Sequence, residues 1–298
     1  TDREVEAVAA YYDANAHHVT IIDRGEDEDQ AQDVGTLAHE LVHAAQDRDV
    51  GFGRLYQDVV SRDNALAMSA LLEGEAVLYQ YLIDAKQRDI PKTLIDWRIL
   101  DGWTLDVRAR VFEKASPYPL ATAELLYPLG GAYVASAYKS GGPLEVRGMF
   151  DPPPLSASRF IATRGALDDV APPPWSCGLI DPPPQHEIVL SDELGALALY
   201  SFATRFALAE PAAWERTRSW TGDRFYVYRN PDDAQALAVV WIVRCTDNQA
   251  AIALNNMLQA VAWPSPLESV VSGDRLHLFA TRTPMDTPYG GFTQCNPL

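Results

Sequence analysis

Hydrophobic and polar residues recur with helical spacing in two segments of the N-terminal half. The first runs from Val34 to about Ala45 and follows the acidic stretch 26–33, whose charges suit the positive N-terminal end of a helix. The second, at 64–86, is apolar nearly all round and is therefore predicted to be a buried helix. The same pattern predicts short strands at 8–12 and 18–23 around a turn at 13–15, and further helices at 104–114 and 121–140.

A proline-rich stretch separates this half from the rest of the chain. Triple prolines at 152–154, 172–174 and 182–184 remove backbone donors and fix φ, so 148–189 is predicted to be an extended wrap or linker. Beyond it, a small α+β domain is expected at 190–298, with helices at 191–207 and 247–261 and strands at 225–229, 236–244 and 275–281. The chain is therefore expected to be α+β, with a mostly helical domain at 1–147 that carries a short N-terminal β element.

Composition narrows the function classes. The 298 residues are 47% hydrophobic, which is typical of a globular protein with a sizeable core. The formal net charge of −17 disfavours nucleic acid as a partner, because such a surface repels phosphate backbones. The sequence contains no run of eighteen apolar residues, so no membrane span is predicted. The three cysteines lack a CxxC spacing, which leaves open one disulfide with a free thiol, or three core thiols.

The chemistry is concentrated in the segment Ala38-His39-Glu40-Leu41-Val42-His43. Histidines four residues apart on a helix lie on one face, so both imidazoles can reach a single zinc ion. Glu40 lies close enough to that face to accept a proton from a water molecule held there. The pattern H-E-x-x-H thus predicts two metal ligands, His39 and His43, and a general base. The alternative is an ordinary helix turn that carries two histidines and no metal.

A catalytic zinc site needs a third protein ligand and leaves its fourth position open. The apolar helix at 64–86 carries Glu73 and Glu75, and buried carboxylates need a compensating partner, which a metal would supply. The two are separated by about 200° around the helix, so they can hardly bind the same ion. Spacing alone does not choose between them.

The motif and the sequence Glu73-Gly74-Glu75-Ala76 resemble the gluzincin group of zinc peptidases, in which a helical glutamate after H-E-x-x-H is the third ligand. The resemblance implies Glu73 as that ligand, a zincin-like fold and a metallopeptidase activity on peptide or protein substrates. Closer still is the similarity to bacterial proteins with HELTHALQDQ and EGEA motifs, matched here by Ala44-Ala45-Gln46-Asp47 and by segments at 127–134 and 222–226. Relatives with these motifs are often exported, which favours an extracytoplasmic location.

Two supporting roles are expected around the site. Asp47, one turn after His43, is a candidate for orienting a ligand imidazole, or it is an exposed acid at the helix end. Tyr127, which opens the segment at 127–134, is the candidate donor to the oxyanion of the reaction. His17, His18 and the remaining histidines have no ligand-like spacing to the motif. A different class of function also fits the sequence, namely a catalytically inactive zincin that serves as a binding or scaffold protein.

Overall fold

The structure is a computed structural model that describes residues 10–22, 30–57, 59–161, 182–183, 185–207, 209–260 and 267–281. It confirms the α+β class, with helices and two small sheets. The chain divides into two compact units. Unit 1 contains Thr1–Val60, Asn64–Arg108 and Leu120–Leu155, and unit 2 contains Ser61–Asp63, Ala109–Pro119 and Ser156–Leu298. This division differs from the predicted boundaries at 147 and 189, because segments distant along the chain pack into the same unit.

The first half of the chain begins with a two-stranded antiparallel hairpin and continues as helices. Strands β1 (Ala10–Asp13) and β2 (His18–Ile21) pair with Tyr12 opposite Val19, close to the predicted strands. The helices are α1 (Gln30–Asp49), α2 (Phe52–Gln57), α3 (Arg62–Gln87), α4 (Ile99–Glu113), α5 (Pro117–Glu124), α6 (Leu126–Gly148) and α7 (Ser158–Ile161). No described helix is both long enough and apolar enough for a bilayer span.

Helix α3 forms the centre of unit 1, as its apolar sequence predicts. Leu71, Ala76 and Val77 lie on different sides of the helix, and each is at most 1% exposed. A helix that is buried on several sides is packed by neighbouring elements rather than by its own propensity. Its two glutamates, Glu73 and Glu75, are half-buried positions within this otherwise buried part of the helix.

Helices α3 and α6 approach so closely that only glycine fits at their contact. A Cβ atom added to Gly130 would overlap the carbonyl oxygen of Ala70, and one added to Gly74 would overlap the carbonyl group of Gly130. The glycine between the two glutamates is therefore required by packing. The contact also fixes α6 beside the segment that contains Glu73.

We expect Gly130→Ala to lower the free energy of unfolding by about 2 kcal/mol or more, because the added methyl group meets backbone that cannot move aside cheaply. Gly102→Ala in α4 is the matched control, since a Cβ there meets nothing within 4 Å. That control should stabilise the protein by up to about 1 kcal/mol through helix propensity. Urea denaturation of the two variants measures both effects, and equal stabilities would contradict the close packing.

Unit 2 contains a five-stranded antiparallel sheet with strand order β3-β4-β5-β7-β6. The strands are β3 (Glu187–Asp192), β4 (Trp220–Asn230), β5 (Asp233–Cys245), β6 (Leu267–Ser272) and β7 (Arg275–Thr281). The helices of this part are α8 (Ala196–Ala203), α9 (Glu210–Arg218) and α10 (Asn248–Gln259). One hydrophobic cluster of the sheet includes Tyr226, Tyr228, Val240, Ile242 and Phe279.

The predicted helix at 191–207 is wrong at its start. Residues up to Asp192 belong to strand β3, and the helix is confined to Ala196–Ala203. Gly195, with φ of 86°, separates the two elements. The extended conformation is stabilised by pairing with β4, a distant segment of the chain that the local pattern cannot reveal.

Asp223, in the sequence Gly222-Asp223-Arg224, has a structural role in unit 2. Its fully buried carboxylate accepts hydrogen bonds from the backbone amides of Leu194 and Gly195, at 3.0 and 2.9 Å. The indole nitrogens of Trp220 and Trp241 donate to the same carboxylate, at 3.2 and 2.7 Å. Four donors satisfy a buried carboxylate, so this residue stabilises the fold of unit 2.

Several predictions on the prolines and cysteines fall partly outside the described residues. The prolines at 152–154 are described, whereas those at 172–174, together with Cys177 and Cys295, lie outside the described ranges. The assignment of 148–189 as a wrap or linker therefore stays a prediction. Cys245 is a buried free thiol, and burial raises its pKa to about 11, which makes it a poor nucleophile.

Candidate metal centre

Two helices bring His39, His43 and Glu73 together. Both histidines lie on α1, and Glu73 lies on α3. Glu73 Oε2 is 3.1 Å from His39 Nε2 and 3.5 Å from His43 Nε2. One ligand atom from each residue lies within 4.8 Å of the other two, which is a spacing that can hold a metal ion. The structure thus places Glu73, and not Glu75, with the histidines.

The donor set fits a divalent cation chemically. It offers two imidazole nitrogens and one carboxylate oxygen, which are ligands that zinc and other first-row metals accept. Both imidazoles turn Nε2 toward Glu73, and the side chains remain partly accessible, at 11%, 13% and 24% exposure for His39, His43 and Glu73. The site is therefore sheltered and can still be reached by a small molecule.

Electrostatics favour a charged Glu73. Burial by itself raises the pKa of this carboxyl, but hydrogen bonds to His39 and His43 and the charges of both rings outweigh it and lower the pKa to about 2. The pKa of His43 is raised overall. Burial by itself lowers it, but the contacts with Glu73 and Gln46 raise it by more. In the absence of metal, the Glu73 carboxylate and the His43 imidazole thus each favour the charged form of the other.

Glu40 is buried beside the cluster and is held by strand β1. Its Oε2 accepts a hydrogen bond of 2.9 Å from the backbone amide of Tyr12, and the residue is 8% exposed. Burial raises its pKa, and the charge of Glu73 adds to that rise, while His43, His39 and the bond from Tyr12 oppose it. A carboxylate whose pKa is raised is a stronger base than an ordinary glutamate, which suits it to accept a proton.

Tyr127 lies next to His39. The two ring centroids are 6.1 Å apart, and the ring of Trp103 stacks on that of Tyr127 with a centroid distance of 6.2 Å. Its position follows from the fold, because Tyr127 precedes Gly130 by about one turn of α6 and so lies on the side of the helix that meets α3. Burial and the charges of Glu73 and Glu40 raise its pKa, so the hydroxyl keeps its proton.

Asp47 does not orient a ligand imidazole, and that prediction is wrong. Its carboxylate accepts hydrogen bonds from the Tyr12 hydroxyl at 2.8 Å and from the Phe52 amide at 3.1 Å. It also lies 3.3 Å from the ring of His17, an exposed histidine on the hairpin turn. Asp47 therefore fastens β1 and the start of α2 to the end of α1.

Two glutamines contact the outer ring nitrogens of the histidines, and neither contact was predicted from the sequence. Gln46 Oε1 lies 2.8 Å from His43 Nδ1, and Gln80 Oε1 lies 3.3 Å from His39 Nδ1. A signal for both exists in the spacing. Gln46 follows His43 by three residues, and Gln80 follows Glu73 by seven, so each lies on the same helix face as a ligand.

No protein-family model, no curated protein and no solved structure matches this chain. Membership of the gluzincin group therefore stays a prediction based on the motif residues. Their arrangement in space is the independent observation, since nothing in a helix–loop–helix segment obliges residues 39, 43 and 73 to converge.

Proposed function

We propose that this protein is a zinc-dependent peptidase in which His39, His43 and Glu73 hold the metal and Glu40 is the general base. The observation that carries the proposal is the convergence of two Nε2 atoms on one carboxylate oxygen, at 3.1 and 3.5 Å, with a buried second carboxylate one residue after His39. When bound, zinc would polarise a carbonyl oxygen and lower the pKa of a water molecule.

The residues of the chain account for the remaining chemistry. Glu40 takes a proton from the attacking water as its oxygen bonds to the carbonyl carbon, and then gives that proton to the leaving amine as the C–N bond breaks. The raised pKa of Glu40 suits both steps. Tyr127, whose ring lies beside that of His39 and whose hydroxyl keeps its proton, donates a hydrogen bond to the developing oxyanion.

The test is hydrolysis of a peptide mixture of diverse sequence by zinc-loaded protein, read by mass spectrometry. New chain ends should appear, and the chelator 1,10-phenanthroline should prevent them, while its non-chelating 1,7 isomer should not. Zinc binding without any cleavage would instead support the inactive zincin with a binding or scaffold role. Protein that retains no zinc would contradict both.

Tyr127→Phe is expected to lower kcat by about 100- to 1000-fold, the usual loss when one oxyanion donor is removed. Zinc content should be unchanged, because the hydroxyl is not among the three ligand atoms. Tyr138→Phe is the matched control, since Tyr138 lies eleven residues further along α6, about 16 Å away for a straight helix. Steady-state kinetics on a peptide identified by the test would show the difference, and equal kcat values in the two variants would exclude the role of Tyr127.

A further inference from the structure

Gln46 uses every hydrogen-bonding group of its side chain at the candidate metal centre. Its side-chain amide is buried, with the residue only 3% exposed. Nε2 donates to the Leu72 carbonyl oxygen at 3.0 Å and to Glu75 Oε2 at 2.9 Å. Oε1 lies 2.8 Å from His43 Nδ1. The amide thus bridges α1, which carries His43, to the turn of α3 that carries Glu73.

These partners determine which way the amide points. A backbone carbonyl oxygen can only accept a hydrogen bond, so the atom facing Leu72 must be the nitrogen. The oxygen then faces His43 Nδ1, and because an amide oxygen can only accept, Nδ1 must carry the hydrogen. The hydrogen bond to the Leu72 carbonyl oxygen is enough to fix the orientation of the Gln46 amide, whether or not Glu75 is ionised.

We infer that Gln46 is a positioning residue that fixes His43 as the Nδ1–H tautomer and sets the rotation of its ring. When the ring is neutral, the hydrogen on Nδ1 leaves the lone pair on Nε2, the atom 3.5 Å from Glu73 Oε2. Leu72 directly precedes Glu73, so one amide holds a ligand of α1 in register with a ligand of α3. The role in metal binding rests on the proposed function, whereas the tautomer does not.

Gln80 makes the corresponding contact to His39 with less constraint. Its Oε1 is 3.3 Å from His39 Nδ1, and among the described residues this is the one hydrogen bond of its side chain. Without a second partner its amide orientation is not fixed. We therefore expect Gln80 to contribute less than Gln46.

The first measurement reads the tautomer of His43 directly. Long-range ¹H–¹⁵N correlation spectra of metal-free protein, recorded at a pH where the ring is neutral, distinguish a protonated Nδ1 from a protonated Nε2. The expected result is an Nδ1–H ring in the unsubstituted protein and a mixture of tautomers in Gln46→Met. A hydrogen on Nε2 in the unsubstituted protein would overturn the inference, and this outcome needs no variant to fold.

The second measurement is zinc affinity, by competition with a chromophoric chelator. Loss of an outer partner of a ligating histidine typically costs about 10- to 100-fold in metal affinity, and this is the fall expected for Gln46→Met. Gln80→Met should fall less, and Gln87→Met, an exposed glutamine near the end of α3, should match the unsubstituted protein.

The two measurements separate the possible failures. An affinity of Gln46→Met within twofold of the unsubstituted protein, with His43 still protonated on Nδ1, would show that Gln46 does not position the ring. If the unsubstituted protein binds no zinc, the proposed function fails, but the spectra of metal-free protein still decide the tautomer.

Discussion

Glu40→Gln is expected to abolish peptide hydrolysis while leaving zinc bound. A general base contributes about 100- to 10,000-fold to a proton-transfer step, and an amide cannot accept the proton. The metal should stay because Glu40 contributes no ligand atom to the cluster of His39, His43 and Glu73. The fold should stay as well, because the oxygen of the amide can still accept the hydrogen bond from the Tyr12 backbone.

Activity and zinc content of Glu40→Gln must be measured on the same sample. Glu145→Gln, an exposed change on α6, has the same chemistry and charge difference and should keep full activity. A Glu40→Gln protein that cleaves as fast as the unsubstituted one would rule out the mechanism. Loss of zinc together with activity would show instead that Glu40 supports the metal and would leave its role as a base without support.

His39→Ala is expected to lower zinc affinity by more than about 100-fold. Loss of an outer partner of a metal ligand already costs about 10- to 100-fold, and here the bond to the metal itself is lost. Activity should disappear with the metal. The variant also leaves the partly buried carboxylate of Glu73 with one imidazole partner, so the pKa of Glu73 should rise from about 2 toward its ordinary value.

Equilibrium dialysis followed by metal analysis measures this loss. His18→Ala is the control, because His18 is an exposed residue of β2 and is not part of the cluster. Equal zinc content in the two variants would mean that the metal, if any, lies elsewhere. His43→Ala should repeat the result of His39→Ala, since both rings face the same carboxylate oxygen.

Hairpin β1–β2 is part of the centre in a way that the sequence did not indicate. Tyr12 contributes its amide to Glu40 and its hydroxyl to Asp47, so one residue of β1 holds two side chains of α1. Asp47 was predicted to orient a ligand imidazole because it is the first carboxylate after His43 and lies about one helix turn further along. In the structure Gln46 has that position, because the helix turns the side chain three residues after His43 toward α3 and the next one toward the hairpin.

The secondary structure was predictable where short-range pattern decides it. The helix predicted at 64–86 is present as Arg62–Gln87, and the strand predicted at 275–281 is present as Arg275–Thr281. Strands β3 and β6 were missed, since their stability comes from pairing with β4 and β7. The pairing register of strands that are distant along the chain is set by tertiary packing, so the local pattern of hydrophobic and polar residues does not predict it.

The sequence by itself determined that His39 and His43 share a helix face with Glu40 nearby, because the geometry of one helix turn is local and nearly invariant. Residue spacing left Glu73 and Glu75 open and the resemblance implied Glu73, and the tertiary structure places Glu73 with the two histidines. That choice depends on how α3 is rotated about its axis, and the close contact of Gly74 with Gly130 fixes the rotation. The partners of the outer ring nitrogens were decided in the same way, since Gln46 can bridge to Leu72 only once the two helices are packed.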